Sequence, residues 1–277
     1  MKARYVDRVN TEIENEIHFR VLSRMDTVEA EGIIRTSLLL GNAYHTVRAV
    51  LDRSIPIQTI PPINFGEIVS VQMESVKDSN TFVINKINVV ELRQLQFADL
   101  FCKEWVQEEK EDALNVLLAA CESIRTESIR HFLLDVFYDA ELTMRFTNVS
   151  ASLRHHHSYQ GGLLDHVADM LWKLQTLIKY RNNQEQRDVL IAMVIVHDIG
   201  KCWTMNGGSY SALGFVQPHE TMALEILAEP LRSVDRKNYA LANLIRSIFK
   251  PKSWYPNTYF VVHKDLQFLD GWSARAN

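Results

Sequence analysis

The chain has 277 residues, 47% apolar and 23% charged, which is enough to bury a full core and too balanced for global disorder. The 30 Lys and Arg face 34 Asp and Glu, a net charge of −4, which argues against whole-surface attraction to nucleic acid and leaves room for a local basic groove. Residues 1–15 are polar and charged, without the apolar stretch of a signal peptide, and the longest apolar runs are far too short to cross a bilayer. Cys102, Cys121 and Cys202 are few, widely spaced and odd in number, with no CxxC pair. They read as reduced core thiols, so a cytoplasmic protein without a membrane partner is expected.

From about Ile17 to Val90 the signals are those of short strands. The stretches "HFRVLSRMD", "AEGIIRTSLLL", "AYHTVRAVLD", "EIVSVQMESV" and "NTFVINKINVV" are rich in β-branched residues, and several alternate. Turn residues separate them: Gly41-Asn42, Pro56, Pro61-Pro62, Gly66 and Asp78-Ser79-Asn80. Five short strands in under a hundred residues predict a small barrel or sandwich.

After about Leu92 the rhythm turns helical. "QLQFADLFCKEWVQ", "KEDALNVLLAACESI" and "TESIRHFLLDVFYDAEL" carry apolar residues three and four apart, with cap regions at Thr126-Glu127 and at Asn182 ahead of Glu185. The expectation is an α+β chain: a β module over 1–92, connecting helices over 93–130 and an all-α domain over 131–277.

Two segments carry the chemistry. The helix beginning near Gly161-Gly162 has an apolar stripe of Leu163, Val167, Met170, Leu171, Leu174, Leu177 and Ile178, and His166 falls within it, pointing inward. A lone inward histidine is more often a hydrogen-bonded core residue than a ligand. The second segment, "VLIAMVIVHDIGK", is almost unbroken apolar sequence ending in His197-Asp198, and reads as a buried helix. A helix C-terminus capped by Gly200 would suit His197 and Lys201, but it leaves the negative charge of Asp198 unexplained. A buried carboxylate there costs several kcal/mol unless a cation or several donors compensate it. A divalent metal held by imidazoles and carboxylates does so directly.

An inward histidine, a His-Asp doublet about thirty residues later and a late acidic residue together resemble the HD superfamily of metal-dependent phosphohydrolases. On that resemblance the metal ligands are His166, His197, Asp198 and Asp270. Asp270 is preferred to Asp265 because "LQFLDGWSAR" is similar to the family's closing helix; helical spacing alone leaves both open. More narrowly, "SASLRHHHSYQGGLLDHVADML", "VHDIGK" and "GSYSALGFVQPHETMALEIL" resemble YhaM-type 3′→5′ exoribonucleases. There a histidine pair, here His156 and His157, precedes the first metal histidine, and His219 occupies a further family position. Those enzymes carry an N-terminal OB-fold, to whose closing strands "INFGEIVSVQMESVKDSNTFVINKINVVE" is similar. The resemblance therefore implies an OB-like barrel followed by an HD-type helical domain.

One departure stands out. Many HD proteins place a His-His-Gly motif before the last helix, where "NLIRSIFKPKSWYP" has Ile248 and Phe249, and His263 is a poor substitute. One ion per site is expected, Mn²⁺ first, with Mg²⁺, Fe²⁺ or Ni²⁺ as alternatives. The implied chemistry is phosphoester hydrolysis, with Asp198, Lys201 and His219 catalytic, and with His156, His157, Lys201 and Arg275 on the substrate. The implied substrate is single-stranded RNA or DNA, processed from the 3′ end. Tyr44, Phe65 and Phe82 are the main candidates for base stacking on the β module, and a homo-oligomer is compatible with the sequence. Two alternatives remain: an HD enzyme acting on nucleotides or, like the HD relaxases of conjugative elements, on DNA; and a non-catalytic binding protein with a residual site.

Overall fold

In the computed structural model, residues 17–29, 34–55, 63–75, 81–154, 156–178, 183–250 and 260–275 are described. The residues 1–15 read above as free of a signal peptide, the turn prolines Pro56, Pro61 and Pro62, the turn at 78–80, His155 and Asn182 lie outside them. The chain divides into two compact units, Met1–Glu104 and Trp105–Asn277.

The β-branched stretches of the first unit form β1 (Ile17–Val28), β2 (Ile34–Gly41), β3 (Thr46–Leu51), β4 (Ile68–Ser75) and β5 (Thr81–Val89). They close a barrel in the order β1-β2-β3-β5-β4, with β3 and β5 parallel and the other pairs antiparallel. This is an OB-like barrel. Closure depends on β1 serving two neighbours. Its start pairs with β4, Ile17 opposite Val71, while the stretch from Arg20 onward pairs with β2, and a register shift between Val21 and Ser23 lies where the neighbour changes. Alternate side chains such as Phe19, Val21, Leu38, Leu40, Val69, Val71 and Ile84 fill the interior.

The stretch 94–107, expected to be helical, is helical only in fragments. Phe97–Leu100 forms a single turn, α1, flanked by 3₁₀ turns at Leu92–Gln94 and Lys103–Trp105. Its backbone is drawn to the barrel instead: Ala43 N–H donates to the Ala98 carbonyl at 2.9 Å, and Lys103 N–H to the Asn42 carbonyl at 2.9 Å. Phe97, Leu100, Phe101 and Cys102 are buried. The apolar spacing thus reflects residues anchored to the barrel rather than one face of a long helix.

The second unit is mostly helical: α2 (Glu111–Ser123), α3 (Glu127–Tyr138), α4 (Ala140–Asn148), α5 (Gly162–Ile178), α6 (Gln184–Val196), α7 (Lys201–Thr204), a two-residue hairpin of β6 (Met205–Asn206) and β7 (Ser209–Tyr210), then α8 (His219–Ile226), α9 (Ala228–Asp235), α10 (Tyr239–Ser247) and α11 (Phe260–Ser273). Helix α5 is central and packs against α2, α4, α6 and α11. Residues 188–196 of α6 are buried all round, as expected for an unbroken apolar run inside a bundle. The single helical stretch read over 126–142 is divided at Asp139, whose extended backbone ends α3 and whose carboxylate accepts from Leu142 N–H to begin α4.

The caps also differ from expectation. Thr126 makes no side-chain cap; its N–H and that of Arg125 donate instead to the fully buried carboxylate of Asp188 on α6, at 2.7 and 2.9 Å. The cap of α6 is Asn183, accepting from Gln186 N–H. The three cysteines are free and buried, and burial pushes their thiols up, Cys102 to about 12. Among the described residues, no helix is long and apolar enough to cross a membrane.

Candidate metal centre

His166 sits on the first turns of α5, on the stripe that faces the bundle, and is 6% exposed. His197 and Asp198 follow α6 directly, where the buried helix delivers them into the interior. Asp270 lies near the end of α11, on a face that also carries Ser273 one turn later. The Nε2 atoms of His166 and His197 stand 3.4 Å apart, and Asp270 Oδ1 is 3.4 Å from His166 Nε2. Ligand atoms of His166, His197 and Asp270 all lie within 4.8 Å of one another. Asp198 borders this group, with Oδ2 3.3 Å from His197 Nε2 and 3.8 Å from His166 Nε2.

The far nitrogens explain why the near ones converge. His197 Nδ1 donates to the Val194 carbonyl at 2.8 Å, which makes Nε2 the lone-pair nitrogen of the neutral ring. His166 Nδ1 lies 3.1 Å from Ser273 Oγ, and a proton donated to that hydroxyl leaves the second Nε2 bare as well. With both rings neutral in these tautomers, two lone pairs face each other at contact distance and repel unless a proton or a metal ion lies between them. Ligand bonds of about 2.0–2.1 Å around a tetrahedral ion put neighbouring donors about 3.4 Å apart. The donor set fits a divalent metal.

The carboxylates around the imidazoles call for a cation at the cluster, a proton on the rings when no metal is bound. Burial alone would raise the Asp198 carboxyl, but His197 and Lys201, helped by hydrogen bonds from His197 and His219, hold it well below the usual carboxylate range. Burial works against the His197 imidazolium, yet Asp198 and then Asp270 outweigh it and the pKa rises. The Asp270 carboxyl is held low first by its hydrogen bond with His166. Its side chain is 53% exposed, so it forms the open side of the cluster, whereas Asp198 is 6% exposed.

Lys201 Nζ is 2.5 Å from Asp198 Oδ2, so its ammonium is engaged by that carboxylate. His219, opening α8, brings Nε2 to 3.2 Å from Asp198 Oδ1. Gly200 makes this approach possible. Its backbone is right-handed, as in a continuing helical turn, and a Cβ there would lie 1.8 Å from the His219 carbonyl oxygen. Gly162 plays the same part for His157, whose carbonyl oxygen a Cβ would meet at 2.0 Å.

His157 has a positive φ of 58°, costly for a non-glycine residue. Its ring lies 5.5 Å from that of His166. Tyr159 O–H donates to Asp165 Oδ2 at 2.8 Å, and Lys110 Nζ pairs with the same oxygen at 2.5 Å. The Tyr159 oxygen must therefore accept from His157 Nδ1, 3.0 Å away, which leaves Nε2 as a lone pair. That atom is buried without a hydrogen-bond partner among the described residues. Burial first, then the nearby His166, lowers the pKa of the ring.

The remaining expected residues are peripheral. His156 is half-buried. Arg275 is exposed and donates Nε to the Gly271 carbonyl of its own helix. His263 is buried with Nε2 3.0 Å from Ser247 Oγ, and Phe249 is buried as well. Ser273 and the Tyr159–Asp165–Lys110 group went unread in the sequence. The helical spacing of Ser273 from Asp270 was the one available signal.

The chain is similar to proteins named 3′-5′ exoribonuclease YhaM. The Bacillus subtilis protein is 30% identical over 140 residues, 48% of this chain and 44% of the relative. The Listeria welshimeri protein is 27% identical over 154 residues, 53% of this chain and 47% of the relative. The Listeria monocytogenes protein is 29% identical over 122 residues, 43% and 37% respectively. These matches span less than half the length of the relatives. No family model matches the chain.

Proposed function

We propose that this protein is an HD-type metal-dependent phosphodiesterase that degrades single-stranded RNA or DNA from the 3′ end. The observation that carries the reading is the pair of facing Nε2 atoms, each with its Nδ1 engaged elsewhere. The distant similarity to exoribonucleases points to the same class of reaction. His166, His197, Asp198 and Asp270 would hold one divalent ion, with Mn²⁺ the first choice. The buried Phe249 and the engaged His263 favour a single ion over two.

A bound divalent ion supplies polarisation of a phosphoryl oxygen and a water acidic enough to attack near neutral pH. The chain's own residues do the rest. Ser273 and the Val194 carbonyl hold the two imidazoles in the ligating tautomer. Asp198, kept ionised in a buried setting, is placed to orient the attacking water, and His219 and Lys201 hold its two oxygens in place. Lys201 also brings positive charge towards a substrate phosphate. The bare Nε2 of His157 can accept a hydrogen bond at the rim. The OB-like barrel would bind the strand, and a cytoplasmic location agrees with three reduced, buried thiols.

Metal analysis of the purified protein, paired with degradation of end-labelled single-stranded RNA and DNA in Mn²⁺, tests the reading. His197→Ala and Asp198→Ala should each abolish metal retention and hydrolysis while far-ultraviolet circular dichroism is preserved. Hydrolysis by either variant at the parent rate, or a parent protein that retains no stoichiometric metal, refutes it.

A further inference from the structure

A cavity of about 880 Å³ adjoins the cluster through Lys201 and His219, the two residues that hold Asp198. Its size lies in the range of roughly 300–1,000 Å³ that small-ligand sites occupy. No Asp or Glu is among its lining residues, although the chain as a whole has an excess of them, and Arg154 joins Lys201 on its wall. Lys201 is shared with Asp198, so Arg154 is the lining cation not already paired there, and the lining favours an anion over a cation.

The same cavity is walled by aromatic residues that the bundle core does not use. Tyr210, at the end of β7, and Phe215, in the 3₁₀ turn Leu213–Phe215, meet edge to face with ring centroids 5.6 Å apart. Phe215 is 77% exposed and Tyr210 45%. The backbone that carries Phe215 is closely packed. Gly214 lies where a Cβ would meet the Thr204 carbonyl oxygen at 2.1 Å, so the turn sits directly on α7. An aromatic that meets its neighbour edge to face and stays open to solvent at a cavity wall offers a stacking surface.

We infer that this cavity is the subsite for the terminal nucleotide of a single strand, with the base stacked on Phe215 and the phosphate directed to Arg154 and Lys201. The inference rests on the phosphodiesterase reading of the adjoining cluster and names how that site takes hold of its substrate. Stacking on an aromatic face is indifferent to base identity, which suits successive removal of nucleotides. It also compensates the terminal base for the neighbour it loses when the strand end enters the cavity. Tyr210 is a positioning residue that supports the Phe215 ring.

The test uses the full chain in Mn²⁺ and a short single strand with 2-aminopurine at its 3′ end and a hydrolysis-resistant phosphorothioate at the last linkage. Binding should quench the terminal fluorophore, while the same base at the 5′ end should respond little. Phe215→Ala should remove the quench and weaken binding roughly 5- to 100-fold. Phe215→Trp should retain both, and Phe215→Leu, apolar but unable to stack, should behave like Phe215→Ala. Tyr210→Ala should have the same sign and a smaller effect. An unchanged quench in Phe215→Ala, an equal response from the 5′ end, or a mononucleotide that binds as tightly as the strand would each overturn the inference. Because the readout needs no cleavage, an inactive protein that still shows the Phe215-dependent quench would sink the phosphodiesterase reading and leave this subsite standing. A protein that cleaves without it would do the reverse.

Discussion

In the barrel, Arg20 is the only fully buried charged side chain among the described residues, and it donates to the backbone carbonyls of Leu100 and Gly66. In the helical unit His157, His166, Lys173, Asp188, Asp198 and His263 are all buried. The barrel closes through a regular ladder of backbone hydrogen bonds around an apolar interior, so it has little need of buried polar side chains. A helical bundle satisfies its backbone within each helix, and its interior is then free to hold polar groups that meet from distant parts of the chain. Each such group costs energy unless paired. Asp188 is paired with the start of α3, Lys173 with Asp169 and the Trp272 carbonyl, and His263 with Ser247. His157 Nε2 is buried without a hydrogen-bond partner among the described residues, and beside that ring the Nε2 atoms of His166 and His197 face each other at 3.4 Å, flanked by Asp270 and Asp198. Several imidazoles and carboxylates converging on one point differ from the structural pairs, in which each polar group meets its own partner.

That contrast can be broken or sharpened by experiment. The largest expected effect is structural. Asp188→Ala strips the acceptor from Arg125 N–H, Thr126 N–H and the Gln184 side chain, and should cost about 2–4 kcal/mol. Hydrogen exchange should show lost protection in the helical unit with the barrel amides unaffected; a uniform loss in both units would mean that they do not differ in this way.

Gly200→Ala should cost about a hundredfold in hydrolysis, because its Cβ meets backbone at His219 and must displace α8. Steady-state kinetics with parallel metal analysis would check this, and the metal should be retained. Ser273→Ala removes the partner of His166 Nδ1 and should weaken metal binding about 10- to 100-fold, measured by calorimetric titration with Mn²⁺. The smallest effect belongs to the barrel. Tyr44 and Phe65 are each about half exposed, so each offers a base only part of its ring, and Tyr44→Ala and Phe65→Ala should weaken single-strand binding about fivefold or less and leave metal content unchanged. If either abolished binding, the barrel rather than the cavity beside Asp198 would be the principal contact.

Much of the fold could be read from local pattern. Five β-branched stretches became five strands, because alternation and turn residues report burial on one face directly. The same logic failed over 94–107, where apolar residues at helical spacing were recruited by the barrel, and over 126–142, where Asp139 preferred to cap a new helix. In the site, His166 and the His197-Asp198 pair announced themselves by polar character inside apolar segments. Asp270 did not, since Asp265 shares a helix with it and spacing treats them alike.

Composition and periodicity determined on their own that this chain has a β module followed by helices, and that His166 and Asp198 lie inside. Those properties depend on neighbours a few positions away. The tertiary structure alone decided which of those residues face one another. His166 meets His197 across 31 positions and Ser273 across 107, and Lys110 reaches Asp165 across 55. The orientation of a lone pair follows from the partner of the opposite ring nitrogen, and that partner comes from wherever the chain happens to pass.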